Sequence, residues 1–182
     1  MKVTPGGLLR GRIDVLKIEV PALSISGLVV DRFIVRAENV GIVPGLPPHL
    51  QAGPVGFKAV VSQANVDRWT RTARLPLRLR LTDTGIVTTT GVRGIKVSEI
   101  ESELDVAGSL IRLRPQKATM LGVSTQLVKI FRGYLPLPPL PRDARLEAVG
   151  HADGELSVSF IIDEVDEPLT PEVATRLRKK LF

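Results

Sequence analysis

The chain has 182 residues, no cysteine, a formal charge of +6, 43% hydrophobic residues and only 4% aromatic ones. That length fits one hydrophobic core, so a single domain over residues 1–182 is expected, and the composition excludes a disordered chain, a disulfide scaffold, a thiol nucleophile and a thiolate metal centre. The positive charge lies in the first four fifths: 21 Lys+Arg stand against 11 Asp+Glu in residues 1–145, and 4 against 8 in residues 146–182.

From the N-terminus, Ile13, Val15, Leu16, Ile18 and Val20 alternate with polar residues but change face once, which predicts a bulged strand closed by Pro21. A second strand is expected over residues 28–40, around Val30, Phe33 and Val35. Residues 41–54, GIVPGLPPHLQAGP, are so punctuated by Gly and Pro that they read as loop or edge. A further strand spans residues 57–61, and Ser62 is placed to cap a short helix reaching about Thr72, with Val66, Trp69 and Ala73 on one side.

Leu75, Leu77, Leu79 and Leu81 interleave with Arg78 and Arg80, giving a strand with one aliphatic and one basic face. Ile100, Leu104 and Val106 alternate with Glu99, Glu101, Glu103 and Asp105 ahead of a turn. With Ala107 and Gly108 as the hairpin loop, Leu104 faces Ile111, Glu103 faces Arg112 and Glu101 faces Arg114.

A second helix is expected over residues 124–132, with Leu127, Val128, Ile130 and Phe131 covering most of its circumference. The four prolines of residues 135–141 then impose a rigid extended edge, since each fixes φ and removes a donor. A last hairpin joins residues 145–150 to 155–162 through a three-residue loop, Ala152-Asp153-Gly154. With Gly154 left-handed, Leu146, Ala148, Leu156, Val158 and Phe160 point inward. Thr170, Pro171 and Glu172 form a helix start for a C-terminal helix at about residues 170–181.

Motifs for chemistry are sparse. There is no Gly-x-Ser-x-Gly elbow, phosphate loop or dinucleotide fingerprint, so no catalytic residue, metal site or cofactor is assigned. His49 sits in the Pro-rich stretch and His151 lies two residues before Asp153, where a solvent-facing turn histidine is favoured over a catalytic pair. The basic strand faces lack the stacking aromatics of single-strand readers, which disfavours nucleic acid and leaves a basic scaffold or nucleic-acid binder as the reading from another class. No run approaches the roughly 18 apolar residues that span a bilayer, and the first nine residues lack signal-peptide features, so a chain that is not exported is expected. The greasy segment holding Val128, Phe131, Tyr134, Leu135, Leu137 and Leu140, with Lys129 and Arg132 beside it, fits two readings equally: a plug over the β-structure, or a lipid contact with basic flanks for anionic headgroups.

The segment Tyr134-Leu135-Pro136-Leu137-Pro138-Pro139-Leu140-Pro141, followed by the hairpin with Asp153-Gly154-Glu155-Leu156, resembles the LmeA-like phospholipid-binding family of actinobacteria. Leu9-Arg10-Gly11-Arg12, Asp31-Arg32-Phe33, Arg36-Ala37-Glu38-Asn39-Val40, the stretch from Ser62 to Trp69 and that from Leu104 to Leu113 extend the likeness across nearly the whole chain. The resemblance implies an α+β fold, an elongated, curved, mainly antiparallel β-sheet wrapped against two or three short helices, similar to tubular lipid-binding domains. It also implies a cell-envelope, membrane-associated protein that binds, transfers or maintains phospholipid, with a phospholipase as the alternative and no catalytic residues to carry over. The missing export features leave the cytoplasm open, and the oligomeric state is not legible. On this reading acyl chains contact Trp69, Leu77, Leu79, Leu127, Phe131 and Leu137, while Lys129, Arg132 and Tyr134 meet headgroups or an anionic membrane.

Overall fold

The computed structural model of the chain describes residues 12–25, 27–92, 95–125, 133–135 and 144–170. Strands β1 (Arg12–Ile25), β2 (Leu28–Val43), β3 (His49–Ala52) and β4 (Val55–Ser62) precede the helix α1 (Gln63–Thr72). Then come β5 (Leu77–Thr82), β6 (Gly85–Val92), β7 (Ile95–Ala107), β8 (Leu110–Met120), β9 (Val123–Thr125), β10 (Gly133–Leu135), β11 (Arg145–Ala152), β12 (Glu155–Ile162) and β13 (Val165–Pro168). The fold is mostly antiparallel β with one short helix among the described residues.

The single sheet expected from sequence is instead two open sheets. One runs β11-β12-β4-β2-β3-β13 with β1 on β2, and the other runs β10-β8-β7-β6-β5 with β9 on β8. Strands with one aliphatic face each need a partner layer to cover it, and two facing sheets supply one. Of the further helices expected, the described part of the second, Ser124 and Thr125, is strand β9. Residues 126–132, the prolines of 136–141 and the C-terminal helix beyond Thr170 lie outside the described residues.

The chain divides into two compact units, one of residues 1–19, 34–57 and 161–182 and one of residues 20–33 and 58–160. Strands β1, β2, β4 and β12 each contribute residues to both. In the larger unit Val30, Val61, Leu146 and Leu156 from one sheet meet Leu81, Ile86, Leu104 and Ile111 from the other, with Val66 from α1. Eleven half-buried hydrophobic residues among those described surround them, including Leu28, Phe33, Leu79, Val158 and Phe160. Among the described residues of the smaller unit, Ala37, Ala52 and Val55 form the buried hydrophobic cluster, edged by Leu16, Val35, Val40, Phe57, Ile162 and Val165. Val35, Ala37 and Val40 reach one cluster although 37 and 40 differ in parity, because Asn39 between them is left-handed, φ +51°.

Several local expectations are corrected. Pro21 does not end β1, which continues to Ile25 with Ala22 at φ +55°. Among the described residues β1 pairs with β2 alone, and an edge strand tolerates a residue that cannot donate. Residues 41–54 are not one loop: β2 runs on to Val43, and β3 pairs with both β2 and β13. Ala148 is exposed, with Val149 packed against the core in its place, while Leu146, Leu156, Val158 and Phe160 face inward as expected. The loop between β11 and β12 is two residues, Asp153-Gly154, and not the expected three, because Ala152 stays in β11; Gly154 is left-handed as expected, at φ +73°.

Candidate functional site

Helix α1 follows β4 without a linker, and its start is held from outside. The Ser62 side chain makes no capping bond. Its backbone N–H donates instead to Asp31 Oδ2 at 2.7 Å, bringing a carboxylate to the positive end of the helix. Burial alone would raise the Asp31 pKa, but hydrogen bonds from the Ser62 backbone, the Asn65 side chain and the Ser62 hydroxyl outweigh it and hold the carboxyl below its ordinary range.

One residue further, Gln63 closes the free edge of β5. Its amide nitrogen donates to the Leu79 carbonyl at 2.7 Å, and its amide oxygen accepts from the Leu81 N–H at 2.6 Å. A side-chain amide thereby replaces a missing neighbouring strand and blunts an edge that would otherwise template pairing. The Gln63 N–H donates to the Gly154 carbonyl at 2.8 Å, tying the β11–β12 turn to the same place.

These bonds position the three described residues from the expected acyl-chain set. Trp69 on α1 and Leu77 and Leu79 on β5 are all half-buried, and Leu79 packs against the larger core. Arg78 and Arg80 are exposed on the other face of β5, as the alternation requires. Tyr134 is 53% exposed on β10, directly across from Arg112 on β8. Leu127, Phe131, Leu137, Lys129 and Arg132 lie outside the described residues.

The β7–β8 hairpin corrects the expected register. Leu104 faces Leu113, Asp105 faces Arg112 and Val106 faces Ile111, so the turn is Gly108-Ser109 and not Ala107-Gly108. Gly108 takes φ +64°, the left-handed first position of a type II′ turn. Arg112 and Arg114 both donate to Asp105 Oδ2, at 2.6 and 2.7 Å, instead of to Glu103 and Glu101. Chiefly through the Arg112 hydrogen bond, the Asp105 carboxyl is held below its usual range. Glu103 accepts from Gln116 at 2.8 Å, and Glu101 stands 4.0 Å from Lys117. The slip moves each partner by two residues, so every side chain keeps its face and the cations remain matched by carboxylates.

Neither histidine is a turn residue. His151 lies in β11 with Nδ1 buried and lacking a hydrogen-bond partner, and no bond joins it to Asp153. His49 lies in β3, where Nδ1 is 2.7 Å from Asp166 Oδ1, and Gln51 donates to Asp166 Oδ2 at 3.2 Å. The register sets Gln51 directly across from Asp166. The His49 hydrogen bond, then that of Gln51, keeps the Asp166 carboxyl below its ordinary range. Nothing in the sequence signals this pair, since its members lie 117 residues apart. Beside it, Arg12, Asn39, Gly41, Ile42, Val43, Pro44 and Gln51 line a pocket of about 280 Å³.

The described residues thus offer aliphatic, half-buried side chains on α1 and β5, and cations of which Arg32, Arg36, Lys96, Arg112, Arg114 and Lys117 stand against carboxylates. No helix among the described residues is long and apolar enough to cross a membrane. Neither a curated protein nor a solved structure matches the chain. A family model described as LmeA-like phospholipid-binding matches residues 3–161, which is most of the chain, and on that ground the chain belongs to the LmeA-like phospholipid-binding family.

Proposed function

We propose that this protein holds a phospholipid by its acyl chains in an aliphatic groove along the margin of the larger core, and thereby binds, transfers or maintains lipid of the cell envelope. The observation that carries the reading is the family match over residues 3–161. The ring of half-buried Leu, Val, Ile and Phe around a small packed centre supports it, because acyl chains need apolar contact and no hydrogen bonds. Trp69, Leu77, Leu79, Leu127, Phe131 and Leu137 are the proposed chain contacts, and Lys129, Arg132 and Tyr134 the proposed headgroup contacts. Organic extraction and native mass spectrometry of the purified protein test this. Phospholipid that co-purifies and exchanges is expected, and a lipid-free protein that takes none up from vesicles sinks the reading.

The second reading, a phospholipase, draws its support from the His49–Asp166 pair, because a carboxylate that orients an imidazole is half of a general-base device. Fatty acid release that survives purification, is abolished by His49→Ala and is untouched by His151→Ala is the result it requires.

A further inference from the structure

The loop joining β2 to β3 has a surface unlike the other described residues of the smaller unit. From Gly41 to Pro48 the sequence is GIVPGLPP, with no charged residue. Ile42 is 60% exposed, Val43 41%, and Leu46 at the tip 104%, wholly outside the protein surface. A single exposed leucine is ordinary, but a continuous apolar projection is not. The projection is also pre-shaped. Val43 pairs with His49 across its base, the Leu169 N–H donates to the Pro48 carbonyl at 2.7 Å, and three prolines fix φ within it. Little conformational entropy is then lost when it is immobilised.

Two features choose among occupants. Ile42 and Val43 are consecutive strand residues and point to opposite faces, so the end of β2 is greasy on both sides. A protein partner laid against one face would leave the other wet, whereas an apolar medium covers both faces and the Leu46 tip together. The second feature is the pocket at the base, which Arg12, Asn39 and Gln51 line together with Ile42, Val43 and Pro44. A cationic residue at the base of an apolar tip matches the order met on entering a bilayer, with phosphate outside and hydrocarbon inside. The charges level with Val43 and Ile42, namely the His49–Asp166 pair and Glu167 across from Leu50, then mark the depth at which insertion stops, with Leu46 beyond it.

We propose that residues 42–47 are a membrane-docking tip, with Leu46 in the acyl region and a lipid phosphate held at Arg12. The inference rests on the phospholipid reading but assigns a second role, docking on a bilayer, to a different part of the chain from the proposed cargo contacts.

The test uses the full chain and vesicles of phosphatidylglycerol and phosphatidylcholine. In flotation, Leu46→Asp is expected to weaken partitioning about tenfold or more while native mass spectrometry still finds bound phospholipid. Because the chain has no cysteine, Leu46→Cys carries a unique environment-sensitive fluorophore. Its emission should shift to the blue with vesicles, while the same probe at Ser109→Cys, on the tip of the β7–β8 hairpin, should not. Leu46→Asp that floats like the parent protein overturns the proposal, as does a probe that shifts equally at both positions. Parent protein that carries phospholipid but ignores vesicles overturns docking alone, whereas parent protein that does neither overturns both readings. Self-association that Leu46→Asp abolishes, without vesicle binding, overturns it in favour of a second copy of the chain.

Discussion

The two units bury different kinds of residue. In the larger, Ile111 is completely buried and Leu81, Ile86 and Val30 nearly so, because two sheets each present one aliphatic face and α1 adds Val66. Among the described residues of the smaller, Ala37, Ala52 and Val55 are the buried hydrophobic ones, and Leu16, Val40 and Phe57 remain half-exposed. Small side chains leave little area to remove from water, so stability should be concentrated in the larger unit and adaptability in the smaller. The sharpest test is paired truncation followed by chemical denaturation. Ile111→Ala is expected to cost about 2–5 kcal/mol, the range for emptying a fully buried large aliphatic site. Val55→Ala should cost about 1–2 kcal/mol, reflecting two methyl-sized groups and freer collapse of the gap. Equal costs would break the contrast.

How much of this was legible follows the range of each interaction. Local periodicity located Leu77, Leu79 and Leu81 correctly, and Ser62 as the start of α1, because such patterns depend on neighbours within one element. The β7–β8 hairpin was read with the right faces and the wrong partners, since facial alternation survives a two-residue shift while turn chemistry decides between Ala107-Gly108 and Gly108-Ser109. The split into two sheets was not legible, because it depends on which strands find which edges. His49 shows the limit for the site: it reads as a loop residue until β13 is laid against β3, which brings Asp166 to it from the far end of the chain. The apolar run of residues 41–48 was visible throughout, but punctuation by Gly and Pro identifies a turn and says nothing of which side chains project from it.

A smaller effect separates the units through charge. In the larger unit Asp31 anchors the start of α1, and its carboxyl is held below its ordinary range. A depressed carboxylate stabilises the fold while the unfolded chain is also ionised, and that contribution disappears as pH falls through the native value. Asp31→Ala should therefore cost about 1 kcal/mol at neutral pH, with the difference from the parent vanishing in acid. Denaturation midpoints at pH 7 and below pH 3 measure it, and a cost that persists in acid would mean that Asp31 acts through packing and not through its charge.

The smallest effect belongs to Asp166 in the other unit, an exposed carboxylate held down chiefly by His49 and then by Gln51. The direction is the same as for Asp31: support present above the ordinary carboxylate range and lost as pH falls through the depressed native value. Exposure screens it, so Asp166→Asn should barely move the neutral-pH midpoint. What it should change is His49, whose imidazole loses the partner that fixes Nδ1. Imidazole nitrogen NMR at one neutral pH should then show His49 losing the single tautomer that the Asp166 contact selects, while the His151 signals are unmoved. If the two histidines shift together, the substitution has disturbed the smaller sheet as a whole. The His49–Asp166 contact would then be a consequence of how β3 and β13 pair, not a constraint that holds the base of the 42–47 loop.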